Sequence, residues 1–391
     1  MRPLYLGCCI LCLMFPEVAE GQSLLGSTGL GMKLEPVDAT QRALGGMGVG
    51  GRTPTIIPGN PVASLDLLAS TASVTMQPMW GKYELGSSEG TFSGTRFPII
   101  GLAFPLGTSG VATFTLNSFF DQNSSAVVRD TLQLLGNDIP VTDQSDLLGG
   151  LSALRMGWAQ RILPSLAVGG SVGVYTGGVE RNFVRSFDVD SLPMLGTIQD
   201  FSDSKAWNYS GPLISVNLSW DPFTSLQLAS SLQWSGDISL NPMGATGGDK
   251  HAIRAPLEVR IGGNWIANPG LSLSAGFSSS DWSDSGYADL DAVAVGRTAS
   301  YGVGLEWEAT RFWAGTFPLR VGFRGSTMPF LFKDHKVKER TVSAGFSVVL
   351  AEAFELPIAA LDVAIEVGKH SAGDLRENFK RLTVTLRAGN R

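Results

Sequence analysis

The sequence predicts an all-β fold, a transmembrane antiparallel β-barrel of about fourteen strands with an amino-terminal plug (hatch) segment. Three observations support this prediction. Apolar and polar residues alternate along most of the chain, tight turns recur between the alternating segments, and only 16% of the residues are charged. Half-polar spans, few charges and no long apolar run are typical of a barrel whose outer face meets lipid and whose inner face lines a lumen.

The alternation is clearest in the segment 257–266. Leu257, Val259 and Ile261 are apolar, whereas Glu258 and Arg260 between them are charged. A period of two places the two sets on opposite faces of a β-strand. A soluble β-sandwich strand gives the same pattern, so the barrel prediction depends on its repetition. The pattern predicts strands near 71–84, 92–104, 110–121, 149–162, 165–186, 200–220, 224–238, 253–267, 270–283, 298–308, 312–325, 338–350, 357–370 and 378–388.

The connections between these strands support a barrel. Every second one is tight, as at 163–165, 221–223 and 268–270, whereas the intervening ones are mostly longer, the longest from Asp121 to Asp146. Outer-membrane barrels have short turns at one rim and long loops at the other. A row of soluble β-sandwich domains is the alternative, and it would require linkers that the sequence lacks. Tryptophans at or near strand ends fit interfacial girdles: Trp220, Trp234, Trp265, Trp282, Trp307 and Trp313.

The first residues predict a secretory signal over 1–21. Arg2 supplies a positive start, Leu4 to Phe15 an apolar run, and 19–21 a small-x-small cleavage site. A lipoprotein attachment at Cys8 is the alternative interpretation. All three cysteines lie in this segment, so its removal would exclude disulfides and thiol chemistry. The net charge of -6 and the lack of a basic stripe argue against a nucleic-acid partner.

Residues 22–70 do not alternate and predict a plug, followed by the barrel over 71–391. Glycines at 45, 46 and 48 (Gly45, Gly46, Gly48) permit close packing and positive φ. Asn60 before Pro61 favours a turn, and Pro61 can open a short helix. These residues are the candidates for plug function, and a plain helix start before the first strand is the alternative.

Two predicted loops are unusually apolar. Val128, Leu132 and Leu135 are spaced like one face of a short helix. The second loop contains Leu192, Met194 and Leu195 and has no clear period. Exposed apolar patches usually mark binding surfaces, so both loops are candidates for capturing a hydrophobic substrate. The alternative is that they pack together and cap the barrel.

Charged residues on the predicted lumen face form the second candidate site. Both signs are present in similar number, which favours ion pairs that hold the plug. The alternative is that one arginine binds a carboxylate headgroup through its planar fork. The candidates are Arg155, Glu258, Arg260, Glu306, Arg320, Arg324, Glu366 and Arg381.

Enzymatic chemistry has little support in the sequence. His251, His335 and His370 are predicted to lie in loops without ligand-like spacing. The sequence contains no zinc-protease motif, phosphate-binding loop or nucleophile elbow. We therefore expect no enzyme activity, no metal site and no cofactor.

The chain resembles the outer-membrane long-chain fatty acid transporter family, the FadL type, and its PorV-like relatives. The resemblance is carried by the run 43–50, by Asn60–Pro61–Val62–Ala63–Ser64–Leu65 and by the overall layout. It implies a plugged barrel in the outer membrane of a Gram-negative-type bacterium that takes up fatty-acid-like compounds by facilitated diffusion. The implied partners are outer-membrane lipid, a hydrophobic ligand and the barrel assembly machinery. The alternative is a PorV-like docking or shuttle component that binds secreted proteins.

Overall fold

The structure is a computed structural model that describes residues 23–134, 137–187, 199–244, 249–286, 293–312, 315–353 and 356–390. The described residues contain one α-helix, α1 (Ala39–Ala43), and two short 3₁₀ helices, Leu24–Ser27 and Pro61–Ser64. No helix in this part of the chain is long and apolar enough to cross a membrane. The strands are β1 (Met32–Lys33), β2 (Ser70–Leu85), β3 (Ser88–Leu106), β4 (Gly110–Asp121), β5 (Ser124–Leu134), β6 (Asn137–Leu163), β7 (Leu166–Phe187), β8 (Phe201–Phe223), β9 (Leu226–Ser235), β10 (Asp237–Pro242), β11 (His251–Arg254), β12 (Glu258–Asn268), β13 (Leu271–Asp281), β14 (Arg297–Phe312), β15 (Gly315–Phe332), β16 (His335–Ala353), β17 (Leu356–Ala372) and β18 (Leu375–Asn390).

Fourteen antiparallel wall strands form a closed barrel, which confirms the predicted fold class. β18 closes the barrel on β2, in a register that runs from Leu375 opposite Leu85 to Asn390 opposite Ser70. β9 and β10 together make one wall strand, because β8 pairs with both of them. In the same way, β11 and β12 together make the next wall strand. Each of the fourteen predicted strands corresponds to one wall strand.

The two faces of the wall differ in polarity as the alternation predicts. On β12, Ile261 and Trp265 are 53% and 49% exposed on the outside, whereas Glu258 and Asn264 are buried inside. The outward residues of the other wall strands form a continuous apolar band. Such a band is the surface that a lipid bilayer requires.

The stretch between Asp121 and Asp146 is not the predicted loop. β5 and the first part of β6 form a hairpin there, in a register from Ser124 opposite Leu147 to Leu134 opposite Asn137. The expected helical face is therefore wrong, because strand pairing supplies the hydrogen bonds of this segment. At the same rim the turns at 86–87, 333–334 and 373–374 are tight, so long connections occupy only part of it.

The plug lies inside the barrel. All five residues of α1 are buried, and β1 pairs with the carboxyl-terminal end of β4. Near the rim of the turns 86–87, 333–334 and 373–374, plug and wall share an apolar core, which we call the upper core. Trp282 is 2% exposed in this core and does not belong to the predicted girdle. The upper core contains Leu25, Leu30 and Met32 of the plug and Phe119, Phe120, Tyr175, Tyr209, Trp282 and Phe330 of the wall, among others.

Candidate functional site: the plug and its contacts in the lumen

Glu35 of the plug is bound by two arginines of the wall. Its carboxylate accepts hydrogen bonds from Arg260 and, at 3.2 Å, from Arg324. Beside it, Lys33 donates to Glu258 at 2.8 Å, and Arg260 also reaches Glu258 at 3.2 Å. Every carboxylate in this cluster is at least nine-tenths buried. The cluster therefore joins the plug to β12 and β15 through desolvated ion pairs.

Helix α1 is held by its cap and by one arginine. The Asp38 carboxylate accepts from the Gln41 N–H at 2.9 Å and from the Thr55 hydroxyl, and burial raises the pKa of Asp38. Arg42 donates to the Glu35 carbonyl at 2.6 Å and lies 3.6 Å from Glu366 of β17. Burial lowers the pKa of Arg42 to about 10. A five-residue helix has little stability of its own, so these contacts keep it folded.

The plug glycines lie against glycines of the wall. Gly45 has φ +62°, and a Cβ there would lie 2.4 Å from the Phe323 carbonyl oxygen. On the wall side, a Cβ on Gly302 would lie 1.8 Å from the Gly45 oxygen, and one on Gly322 would lie 2.3 Å from the Gly45 nitrogen. Main chain thus touches main chain here, and only glycine on both sides permits it.

Gly46 and Gly48 serve the fold of the plug itself. A Cβ on Gly46 would lie 2.4 Å from the Gln41 carbonyl oxygen, and Gly48 has φ +72°. The Asn60 side chain donates to the Gly48 carbonyl at 2.8 Å. Asn60 therefore ties the glycine-rich run to the segment that leaves the plug.

Pro61 opens a 3₁₀ helix, as the short helix start predicted. The helix Pro61–Ser64 has proline at its first position, and Asn60 caps it without a side-chain hydrogen bond. Pro61 lies against Gly157 and Gly169 of the wall, where added Cβ atoms would come within 3.2 and 3.1 Å of its ring. The turn thus lies against β6 and β7 just before the chain enters β2.

The other predicted lumen charges lie apart from the Glu35 cluster. Arg320 pairs with Glu306 and donates to Ser347 at 2.6 Å, so this pair belongs to the wall alone. Arg155 is 2% exposed and donates to Gln233 at 3.0 Å. Among the described residues Arg155 forms no ion pair, and its Nε has no hydrogen-bond partner.

His370 is a lumen residue at the last position of the predicted strand 357–370, although the sequence analysis counted it with the loop histidines. It is fully buried on β17, with its two ring nitrogens 2.9 Å from Glu377 and Glu339. Glu377 in turn accepts from the Ser23 hydroxyl at 2.7 Å and from the Leu24 N–H at 3.1 Å. Extending the alternation of β17 by one step beyond Gly368 would have placed His370 on the lumen face.

A second chain of contacts continues from Glu339 to the plug helix. Arg381 lies 3.3 Å from Glu339 and 3.4 Å from Glu366, which also contacts Arg42. The start of the plug and α1 are thus linked through one buried wall network. The other two histidines begin strands, His251 in β11 and His335 in β16. Among the residues that the structure describes, no group of three His, Cys, Asp or Glu side chains could hold a metal ion.

The wall is interrupted between β3 and β4. Residues 99–106 of β3 pair with 110–117 of β4, whereas residues 88–96 pair only with β2 in the described part of the chain. Beyond Asn117, β4 pairs on this edge with the plug, Lys33 lying opposite Phe120 and Met32 opposite Asp121. Inside the interruption, Arg96 and Asp121 form an ion pair at 2.5 Å.

No family sequence model and no curated protein sequence matches the chain. Solved structures do match its architecture. The toluene transporter TbuX of Ralstonia pickettii superposes with a TM-score of 0.61 at 12% identity, over 92% of this chain and 99% of that one. The toluene transporter TodX of Pseudomonas putida gives 0.57 at 12% identity, over 91% and 98%. A FadL homologue of Pseudomonas aeruginosa gives 0.52 at 13% identity, over 88% and 95%.

The chain has a FadL-type barrel fold. At these identities the likeness concerns the fold alone, and it confirms the resemblance seen in the sequence at that level. The relation to PorV-like proteins stays a prediction.

Two small cavities lie between the plug and the wall. A cavity beside Glu35 and Arg42 has a volume of about 30 Å³, and one between Gly59 and Arg155 about 20 Å³, each room for about one water molecule. Below the plug, a vestibule of about 450 Å³ opens toward the rim where Ser70 and Asn390 lie, and it is lined by Leu67, Leu68 and Val349 among others.

The apolar loop candidates are only partly described. Val128 and Leu132 lie on β5, where Val128 is 58% exposed and Leu132 is half-buried. Leu135, Leu192, Met194 and Leu195 lie outside the described residues. The capture role predicted for this set therefore stays a prediction.

Proposed function

We propose that this protein lies in the outer membrane and takes up hydrophobic small molecules by facilitated diffusion. A molecule captured at the apolar hairpin around Val128 and Leu132 enters the upper core. It leaves sideways, through the interruption between β3 and β4, when β1 moves out of the wall. The single observation that carries this proposal is that, among the described residues, the edge of β4 that faces β3 pairs beyond Asn117 with a plug strand and with no wall strand.

The energetics favour the sideways route over an axial one. An apolar solute gains ~25 cal/mol for each Å² of surface that it keeps out of water. The upper core is apolar, whereas the lumen below it is filled by the ion pairs of Glu35 and its neighbours. Passing among those groups would separate buried charges from their partners, which is strongly unfavourable. Moving β1 breaks a few backbone hydrogen bonds to β4, the ion pair between Lys33 and Glu258, and the packing of Met32 in the upper core.

A disulfide between β1 and β4 should stop uptake. Lys33→Cys with Phe120→Cys places the cysteines on directly opposed residues, where Cα atoms lie about 4.5–5.5 Å apart, suitable for a disulfide. In proteoliposomes, uptake of labelled toluene and of oleate is expected to fall to the level of protein-free vesicles after oxidation. Reduction of the same sample should restore it, which separates the bond from the loss of Lys33.

Ala344→Cys with Ile365→Cys is the matched control, because these residues oppose each other on the outer face of β16 and β17. Its oxidation should leave uptake unchanged. Uptake that survives oxidation of the first pair would exclude the sideways route. A wild-type barrel without bound lipophile that co-purifies with secreted proteins would instead favour the PorV-like alternative.

Arg155 is the lumen arginine that we propose to bind a carboxylate headgroup. It is buried beside Tyr175 and Phe119 of the upper core and lacks an acidic partner among the described residues. The arginines around Glu35 and Glu306 are already paired. A fatty acid could therefore place its headgroup at Arg155 and its chain in the upper core.

Arg155→Gln should separate charged from neutral substrates. Oleate uptake is expected to fall roughly ten-fold, since a hydrogen bond to a charged group contributes about 1.5–3 kcal/mol, whereas toluene uptake should stay unchanged. Arg320→Gln removes a paired lumen arginine and serves as the control. An equal fall for both substrates would mean that Arg155 only supports the plug at Gly59.

A further inference from the structure

Seven exposed lysines and arginines occupy the outward face of four adjacent wall strands, close to the rim of the turns 86–87, 333–334 and 373–374. They lie on β2, β16, β17 and β18, whose order around the barrel is β16, β17, β18, β2. We call them the basic patch. Its members are Lys82, Lys336, Lys338, Arg340, Lys369, Arg376 and Lys380.

The strand register brings these cations together. Arg340 lies directly opposite Lys369, Lys369 opposite Asn378, and Asn378 opposite Lys82. Adjacent strands are about 4.8 Å apart, and like charges on directly opposed residues destabilise a sheet. The pair Arg340 and Lys369 is thus unfavourable unless an anion lies between them.

The protein does not supply that anion. Among the described residues, no member of the basic patch has a carboxylate oxygen within the 4.0 Å of an ion pair. Glu84 lies opposite Arg376, and Glu89 lies opposite Glu84. At the turns above, Asp374 is 3.8 Å from Lys333, and Asp334 is the other acidic residue. Four carboxylates thus accompany seven cations of the patch and Lys333, and the patch keeps a net positive charge.

The patch lies at the boundary of the apolar band. The next outward residues toward the rim of Ser70 and Asn390 are Val342, Val367 and Trp80, which are 62%, 56% and 41% exposed. Lys380 shares their row, between Val367 and Trp80. Lysine and arginine at this depth extend their stems along apolar surface and place their charges among lipid headgroups.

We propose that the basic patch binds the phosphate groups of an anionic lipid in the membrane leaflet on that side. The lipid's acyl chains would lie on Val342, Val367 and Ile365, and its phosphates between Arg340, Lys369 and Lys82. Arginine and lysine both form charge-assisted hydrogen bonds to phosphate. Seating the acyl chains on the same strands as the cations selects a lipid over a free anion. This binding requires a membrane-spanning barrel but does not depend on the transport proposed above.

The test compares lipid retained by the intact protein with the bulk lipid. The protein is reconstituted into vesicles of equimolar phosphatidylcholine and phosphatidic acid and extracted in polymer discs, and the lipids are measured by mass spectrometry. Phosphatidic acid should be enriched around the wild type. The variant Lys82→Gln, Arg340→Gln, Lys369→Gln should lose this enrichment by up to about a hundred-fold, since each of the three cations near an anionic surface contributes roughly a five-fold change in partition.

Two further variants make the result decisive. Arg129→Gln, Lys205→Gln, Arg254→Gln removes the same charge elsewhere near the same rim and should keep the enrichment. Arg340→Lys with Lys369→Arg keeps the charge of the patch and should keep it as well. Equal enrichment in the wild type and in the variant with Lys82, Arg340 and Lys369 replaced would overturn the proposal. Equal loss in that variant and in the variant with Arg129, Lys205 and Arg254 replaced would overturn it as well. So would displacement of the lipid by inorganic phosphate at the same concentration, because the patch would then bind the free anion.

Discussion

Replacing Glu35 with glutamine is expected to release the plug and open an ion-conducting path through the barrel. Glu35 is the shared acceptor of Arg260 and Arg324, and removing one partner of a buried ion pair costs about 3–5 kcal/mol. The wall keeps its strand hydrogen bonds, so the loss falls on the contact between plug and wall. Single-channel conductance in planar bilayers should rise, and trypsin should gain access to Arg42, which is now buried.

Glu306→Gln is the matched control for this prediction. It makes the same change of charge in the lumen, but its partner Arg320 belongs to the wall and the pair does not contact the plug through an ion pair. Conductance and trypsin resistance should stay at the wild-type level. A Glu35→Gln barrel that remains closed and protease-resistant would show that the ion pairs do not hold the plug.

The barrel could be predicted from the sequence because its signal is local. Alternation along 361–368 or 382–387 identifies a strand without knowledge of the neighbouring strand, because a wall strand faces lipid on one side and the lumen on the other. The strand 124–134 was not predicted because this local alternation is absent there. Its hairpin rises beyond the apolar band, where neither face has to be apolar, and the spacing of Val128 and Leu132 then imitates a helix.

The second wall strand illustrates how the plug alters this pattern. Residues 97–104 are apolar on both faces, unlike the other clear strands. Ile99 and Ala103 are fully buried on the inner face, and Ala103 packs in one cluster with Ile56 of the plug. The inner face of a wall strand can thus be apolar where an apolar part of the plug covers it.

The candidate site could be predicted only on its wall side. Alternation places Glu258, Arg260 and Arg324 in the lumen, but Glu35 lies in a segment without period and 225 residues before Arg260. Nothing local in the sequence reveals that such distant residues meet. His370 lies at the end of its strand, where the boundary is least certain, so its two carboxylate partners could not be anticipated either.

Gly302→Ala is expected to displace the plug by a different mechanism, through steric contact of main chain. The added Cβ would lie 1.8 Å from the Gly45 carbonyl oxygen, so the plug main chain at Gly45 has to move away from β14 and β15. Overpacking of this kind costs about 1–3 kcal/mol. Hydrogen exchange of the amides in 43–50 should accelerate, and conductance should rise as for Glu35→Gln.

The contact itself can be isolated with a second substitution. Gly45→Ala attacks the same contact from the plug side and also imposes a side chain on a residue with φ +62°. Because the two glycines touch, the effects of Gly45→Ala and Gly302→Ala on exchange should be smaller together than their sum. Gly110→Ala is the control, since the nearest atoms to its Cβ, at 3.2 Å and beyond, belong to neighbouring wall residues Leu106 and Ala159. Additive effects of the pair, or faster plug exchange in Gly110→Ala, would mean that the plug responds to general strain in the wall and not to this contact.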